Sequence, residues 1–234
     1  MSFSNPTPSS NPSSLFLEWK SDEKTFTYWN GEARVPIKLP FKFVVLDQLT
    51  TIKGWSDKDQ SGIWSNEVRD TNAELAVQTK SGVIAKGNYK ELKDKVKNLG
   101  GKYVKSVYAC MFADNKYQLV NLQIKGAALS PWIEAKVRTD DHVVITAEVN
   151  ETPQKKGATT YYIPQFKANT DLPKEWADKC QEFDIKLQNY LSEYFQPVKE
   201  VAETPKVKTT VEALNKGVSL PEVDVDDLNV QMPF

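Results

Sequence analysis

Residues 88–101 read NYKELKDKVKNLGG, and this stretch decides how the chain on either side of it is read. Asn88 stands at a helix N-cap position, and Glu91 follows three residues later. At that spacing a capping side chain and an acid can satisfy each other's backbone N–H groups. Tyr89, Leu92, Val96 and Leu99 recur at helical spacing, so one side of this helix is expected to meet a core. Gly100-Gly101 supplies the stop. The flanking chain has the short, β-branched and aromatic texture of strands. Upstream lie LFLEWK (15–20), KTFTYWN (24–30), RVPIKL (34–39), FKFVVLDQLTTIKGWSD (41–57), SGIWSNEVRD (61–70) and ELAVQTKSGVIAKG (74–87). Gly54, inside the longest of these, suggests a bulge or bend. Downstream, KYVKSVYACMFA (102–113) and KYQLVNLQIKG (116–126) flank Asp114-Asn115, a hairpin turn signal.

Farther along, ALSPWIEAKV (128–137) predicts a short helix capped by Ser130, with Pro131 in its first turn. HVVITAEVN (142–150) and ATTYYIPQFKA (158–168) are further strands joined by the polar QKKG. A long helix over 172–195 follows, with Asp171 as cap and an apolar stripe of Trp176, Cys180, Phe183, Leu187, Leu191 and Tyr194 that packs on the sheet. Counted from Phe41, the order is strand, strand, strand, helix, strand, strand, which is the order of an OB-fold barrel. The expected fold is therefore mainly β with peripheral helices: an OB-like barrel with extra strands and a long C-terminal helix. Residues 1–14, rich in Ser, Asn and Pro, are expected to be a disordered arm. Residues 15–195 form the domain, 196–220 a flexible linker and 221–234 an acidic tip.

The overall charge of −1 conceals a division. Residues 1–216 hold all 30 bases and 27 of the 31 acids, a net charge of +3, and the remaining four acids follow in the tail. A mildly basic body with an acidic tail differs physically from a neutral protein. Cys110 and Cys180 lie in apolar segments and read as reduced core residues. The single histidine, His142, reads as a strand or turn residue. No cysteine–histidine cluster has metal-ligand spacing, and no phosphate-binding glycine pattern occurs, so no cofactor is expected. The apolar runs are too short to span a bilayer, and the start of the chain has no secretory pattern, which predicts a cytoplasmic protein.

Two features carry chemistry. Seven lysines, 86, 90, 93, 95, 97, 102 and 105, fall between Lys86 and Lys105. Lys86, Lys90, Lys93 and Lys97 follow helical spacing and predict a ridge able to contact phosphates; the alternative is a solvated helix face. The second feature is aromatics interleaved with bases. One cluster holds Phe26, Tyr28, Trp29 and Arg34, another Lys53, Trp55, Lys58, Trp64 and Arg69, and a third Lys155, Lys156, Tyr161, Tyr162, Phe166 and Lys167. Lys53 and Trp55, two apart, share a strand face. Trp55 and Trp64 flank the polar connection SDKDQSG, where a large ring has little reason to be buried. Single-strand binders use this mixture, because every base offers a π-face and the backbone needs a basic groove. The expected nucleic-acid contacts are Lys53, Trp55, Trp64, Arg69, Lys86, Lys90, Lys93, Lys97, Lys105, Tyr161 and Lys167.

The chain ends PEVDVDDLNVQMPF. Asp224, Asp226 and Asp227 followed by Met232, Pro233 and Phe234 make this ending resemble the C-terminal tip of bacterial single-stranded DNA-binding proteins, which closes on aspartates and Ile-Pro-Phe. Here LNVQ separates the acids from the close. The body looks like the divergent single-stranded DNA-binding proteins of tailed phages. The resemblance implies a non-enzymatic, sequence-tolerant single-stranded DNA-binding protein of replication, recombination or repair. It also implies that Asp224, Asp226, Asp227, Pro233 and Phe234 recruit partner proteins. The alternatives are a structural or assembly protein of a virion, and a nuclease using Asp140 and Asp141 with magnesium.

Overall fold

One strand organises the molecule. In the computed structural model, which describes residues 10–169 and 172–196, β4 (Phe41–Ser56) is sixteen residues long. It pairs along nearly its whole length with β8 (Gly101–Ala113). Its other edge is shared: the N-terminal end pairs with β10 (Val144–Lys156) and the C-terminal end with β5 (Ser61–Ser65). The sheet therefore branches at β4. From β5 it continues through β6 (Leu75–Thr79) to β7 (Gly82–Gly87), and from β10 to β11 (Thr159–Asn169). On the β8 side come β9 (Lys116–Ile124), β1 (Leu15–Lys20), β2 (Thr25–Trp29) and β3 (Arg34–Pro36). β1 runs parallel to β9 and the other pairings are antiparallel, so the result is an open mixed sheet.

Three helices complete the described chain: α1 (Tyr89–Asn98), α2 (Leu129–Glu134) and α3 (Lys174–Tyr194). The capping box at α1 forms as its sequence predicts: Asn88 accepts from the Glu91 N–H and the Glu91 carboxylate accepts from the Asn88 N–H. Gly100 then takes a positive φ of 92° and ends the helix. The β8–β9 turn places Asp114 and Asn115 at φ 51° and 59°, the left-handed pair that a two-residue hairpin loop needs.

Three local expectations change. The stretch 74–87 folds back on itself as the β6–β7 hairpin, because Gly82 at φ 106° permits a tight turn, so four strands rather than three separate Phe41 from α1. Lys86 therefore sits on β7 and not on the helix. Ser130 does not cap α2, whose N-cap is Ala128 at the end of a 3₁₀ turn spanning Gly126–Ala128. Asn11 and Ser14 of the expected arm are tied down, Asn11 to the Tyr108 hydroxyl and Ser14 to the Leu119 carbonyl. Residues 1–9, Asp171, the linker from 197 and the tip lie outside the described residues.

Strand alternation gives the sheet two sides with different fates. On the first, Phe43, Val45, Val107, Ala109, Met111 and Ile145 form a core with Phe26, Phe41 and Phe166, closed by Trp132 of α2. Farther along the same side, Ile52, Ile63, Val77 and Ala85 receive Leu92 and Val96 of α1. On the second side, Val44, Tyr108, Cys110 and Leu119 are covered by Trp176, Cys180, Leu187 and Leu191 of α3. Each fully buried Val, Leu, Ile, Phe or Met among them contributes about 1.5–3 kcal/mol. The apolar stripe of α3 thus packs on the sheet, with Tyr194 at its end accepting through its hydroxyl oxygen from the Glu67 N–H. Where α1 ends, backbone meets backbone. Gly54 abuts Gly100 and Gly101, and Gly100 abuts the Trp55 carbonyl, with no room for a Cβ at either glycine.

Candidate nucleic-acid interface

Beyond the end of α3, the second side of the sheet carries large rings turned to solvent. Trp29, Trp55, Phe16 and Trp64 are 61%, 54%, 41% and 40% exposed. Cross-strand pairing links them. Trp29 on β2 pairs with Arg34 on β3, and Thr27, two residues earlier, pairs with Glu18 on β1. Glu18 pairs with Gln123, Gln123 with Ser106 and Ser106 with Leu49. From Leu49, alternation along β4 leads to Thr51, Lys53 and Trp55, and Lys53 pairs with both Lys102 and Trp64. Directly opposite residues in a ladder project to the same side, so all of these share one face. On β7, Lys86 pairs with Ala76, two residues from the Gln78 that pairs with Trp64, which puts Lys86 on this face too.

The face is not flat. Lys53 on β4 holds its ammonium 5.6 Å from the Phe16 ring centroid on β1, although β8 and β9 lie between those strands. The floor beneath is polar and buried: Thr27, Thr51, Ser106, Asn121 and Gln123. Ser106 and Tyr108 donate to the Glu67 carboxylate, and Asn121 donates to Ser106. These bonds tie Ser106, Tyr108 and Asn121 to Glu67, while Thr27 Oγ1 and Asn121 Oδ1 are buried without a partner among the described residues.

Basic groups dominate the upper layer. Burial lowers the pKa of Lys53, partly offset by Glu67. Burial raises the Glu18 carboxyl, but Lys125, Lys20 and Arg34 outweigh it, and its pKa is lowered overall. Lys125 is the close partner at 2.9 Å, and Arg34 stands at 3.9 Å. Arg34, Lys53, Lys86 and Lys102 are accordingly placed among the exposed rings with two acids, Glu18, held by Lys125, and Glu67, which accepts from Ser106 and Tyr108.

The structure brings Lys53, Trp55, Trp64 and Lys86 of the expected contacts together and separates the others. Lys90, Lys93 and Lys97 are exposed on α1, which packs on the opposite side of the sheet. Lys105 also faces that side, in a cleft with Gln48, Trp132 and Lys136, where burial lowers its pKa. Arg69 pairs with the buried Asp47 at 2.8 Å and lies over the Phe195 ring at the end of α3. Tyr161 stands on the β10–β11 hairpin beside Lys156 and Gly126. Lys167 pairs with Glu148 near the start of α3. Phe16 and Lys102 were not singled out from sequence as contacts, and Trp29 with Arg34 was only one cluster among three. Alternation offered a signal: with Phe26 and Tyr28 pointing inward, Trp29 must point outward.

Asp140 and Asp141, on which a nuclease reading rests, are both held by Arg138, the first through its guanidinium and the second through its N–H. His142 is a turn residue at φ 48°. Among the described residues no cluster of His, Cys, Asp and Glu could hold a metal ion, and no helix is long and apolar enough to cross a membrane. Comparison with known protein families, with curated proteins and with solved structures finds no match.

Proposed function

We infer that this is a single-stranded DNA-binding protein that acts without enzymatic chemistry and holds its ligand on the second side of the sheet. The observation that carries the reading is the concentration of exposed rings on one sheet face, interleaved with Lys53, Lys102, Lys86 and Arg34. Bases stack on rings without regard to sequence, and cations on the same face neutralise the connecting phosphates. The first place for a base is Trp55 and Trp64, which flank one hairpin and share Lys53 between them. The OB-like part of the reading rests on the long β4, the antiparallel β8 and β9 beside it, and the entry of α1 just before β8. A closed barrel would also need β7 to pair with β9, and β7 pairs with β6 alone.

The acidic tip is part of the proposal. Asp224, Asp226, Asp227, Pro233 and Phe234 lie outside the described residues, and their role rests on their sequence. A Phe ring close to a run of aspartates suits a small apolar pocket rimmed by bases on a replication or recombination protein. A role in DNA metabolism places the protein in the cytoplasm, in an infected host if it is phage-encoded.

The test is a titration with oligo-dT, duplex DNA and oligo-U, read by tryptophan fluorescence. Strong quenching by oligo-dT that weakens steeply with salt supports the reading. Absence of quenching, with no binding by anisotropy, overturns it and leaves the structural or assembly protein as the better account.

A further inference from the structure

We propose that the bound strand continues past Trp55 and Trp64 onto a second stacking station formed by Phe16, Trp29 and Arg34 on β1–β3. This rests on the single-strand reading above and extends it to a bipartite site that Lys53 bridges.

Three observations point there. Trp29 is 61% exposed on a strand whose neighbours Phe26 and Thr27 are buried, so its ring is not needed to fill the core. Arg34 lies directly opposite it on the sheet edge, and its guanidinium stands 3.9 Å from the Glu18 carboxylate that Lys125 holds at 2.9 Å. Arg34 is therefore the loosely held cation of that group and is free to meet a phosphate. Third, the Lys53 ammonium sits 5.6 Å from the Phe16 ring centroid while its backbone pairs with Trp64, so one side chain spans both stations.

The bridge implies an exchange. A cation over a ring and a base stacked on the same ring compete for one face. When a base takes Phe16, Lys53 is released towards the phosphate between the two stations, and a cation–π contact is replaced by an ion pair. Charge complementarity favours a polyanion as occupant: the rings are edged by Arg34, Lys53, Lys102 and Lys125, with Glu18 already paired. A protein partner that used these rings would show no dependence on oligonucleotide length.

The experiment compares oligo-dT of about four and about twelve nucleotides, a range bracketing common sites per domain, by anisotropy of a labelled oligonucleotide. The variants are Phe16→Ala/Trp29→Ala and Trp55→Ala/Trp64→Ala, each checked for an unchanged melting transition. The expected result is that each double variant loses about tenfold or more on the longer oligonucleotide, in line with the energy of one or two lost stacks. Each should also lose most of the advantage of the longer strand over the shorter. If Phe16→Ala/Trp29→Ala unfolds, Trp29→Ala with Arg34→Ala replaces it, since both side chains are half or more exposed. Full affinity in the Phe16/Trp29 variant, alongside a loss in the Trp55/Trp64 variant, overturns the second station and leaves the single-strand reading standing. If the wild-type protein binds neither oligonucleotide, the underlying reading fails and the second station falls with it.

Discussion

The two ends of β4 and β8 share a backbone ladder and face the same side, yet they are finished differently. At one end Val44 pairs with Cys110, Cys110 with Leu119, and α3 covers all three. At the other end Lys53, itself half-buried, pairs with Lys102 and Trp64, whose side chains meet water. Small apolar groups need a lid, because their only gain comes from leaving water. Tryptophan and lysine tolerate an open face, and each keeps an attractive surface for a ligand that arrives later. The cover stops where the chemistry of the side chains changes.

The largest test of that contrast is stability. Leu187→Ala removes a fully buried side chain from the lid and should cost about 2–5 kcal/mol, lowering the melting temperature by on the order of 10 °C. Trp55→Ala should change stability by no more than about 0.5 kcal/mol, as an open surface position does. Comparable thermal losses for both would mean that Trp55 is core and would erase the contrast. Next in size is binding: Trp55→Ala and Trp64→Ala should each cost about 1–3 kcal/mol of oligo-dT affinity, measured by anisotropy, while Leu187→Ala that remains folded at the assay temperature should bind normally.

A smaller effect compares the two sides of the sheet. Lys102→Ala with Arg34→Ala should lower the slope of log affinity against log salt by about 1.4, at about 0.7 per phosphate. Lys90→Ala, Lys93→Ala and Lys97→Ala together should leave that slope almost unchanged, because α1 packs behind the sheet. The reverse pattern would move the ligand to the helix side. The smallest effect is in pH. Burial lowers the pKa of Lys53, so as pH rises it loses its proton before an ordinary lysine does. Affinity should begin to fall correspondingly early on the alkaline side, by about two- to fivefold for one partly screened ion pair. Lys53→Arg, which keeps its charge, should postpone the decline. For folding the sign is opposite: the unfolded chain holds this proton to higher pH, so the group's contribution to stability improves as pH rises through that window. Identical alkaline profiles for wild type and Lys53→Arg would remove Lys53 from the interface.

Much of this was legible from residues alone. The α1 capping box, its glycine stop, the Asp114-Asn115 turn and the buried stripe of α3 are local signals, and each is decided by a few neighbouring residues. The pairing of Lys53 with Trp55 and Trp64 was also within reach, since it needs only alternation and one short hairpin. The separation of Lys90, Lys93 and Lys97 from the exposed rings was not legible, because helical spacing says which residues share a helix face but not which side of a sheet the helix packs against. Lys86 left the ridge because the positive φ at Gly82 turned one expected strand into two. The proposed station at Phe16 and Trp29 was hidden by distance in sequence: β1 joins β9 by a parallel pairing that spans about a hundred residues, and no short-range pattern announces it.

On the proposed reading, the contact of Gly54 with Gly100 and Gly101 gives α1 a part in recognition through its end rather than through its lysines. The helix ends against the backbone of the segment that presents Lys53 and Trp55, so the ring is aimed from behind by main-chain atoms. In a mutational scan this region should therefore look inverted. The charged, exposed helix would accept nearly anything, whereas its smallest residues would accept nothing, and Gly100→Ala would weaken stacking at Trp55 on the far side of the sheet without altering a single group that touches the ligand.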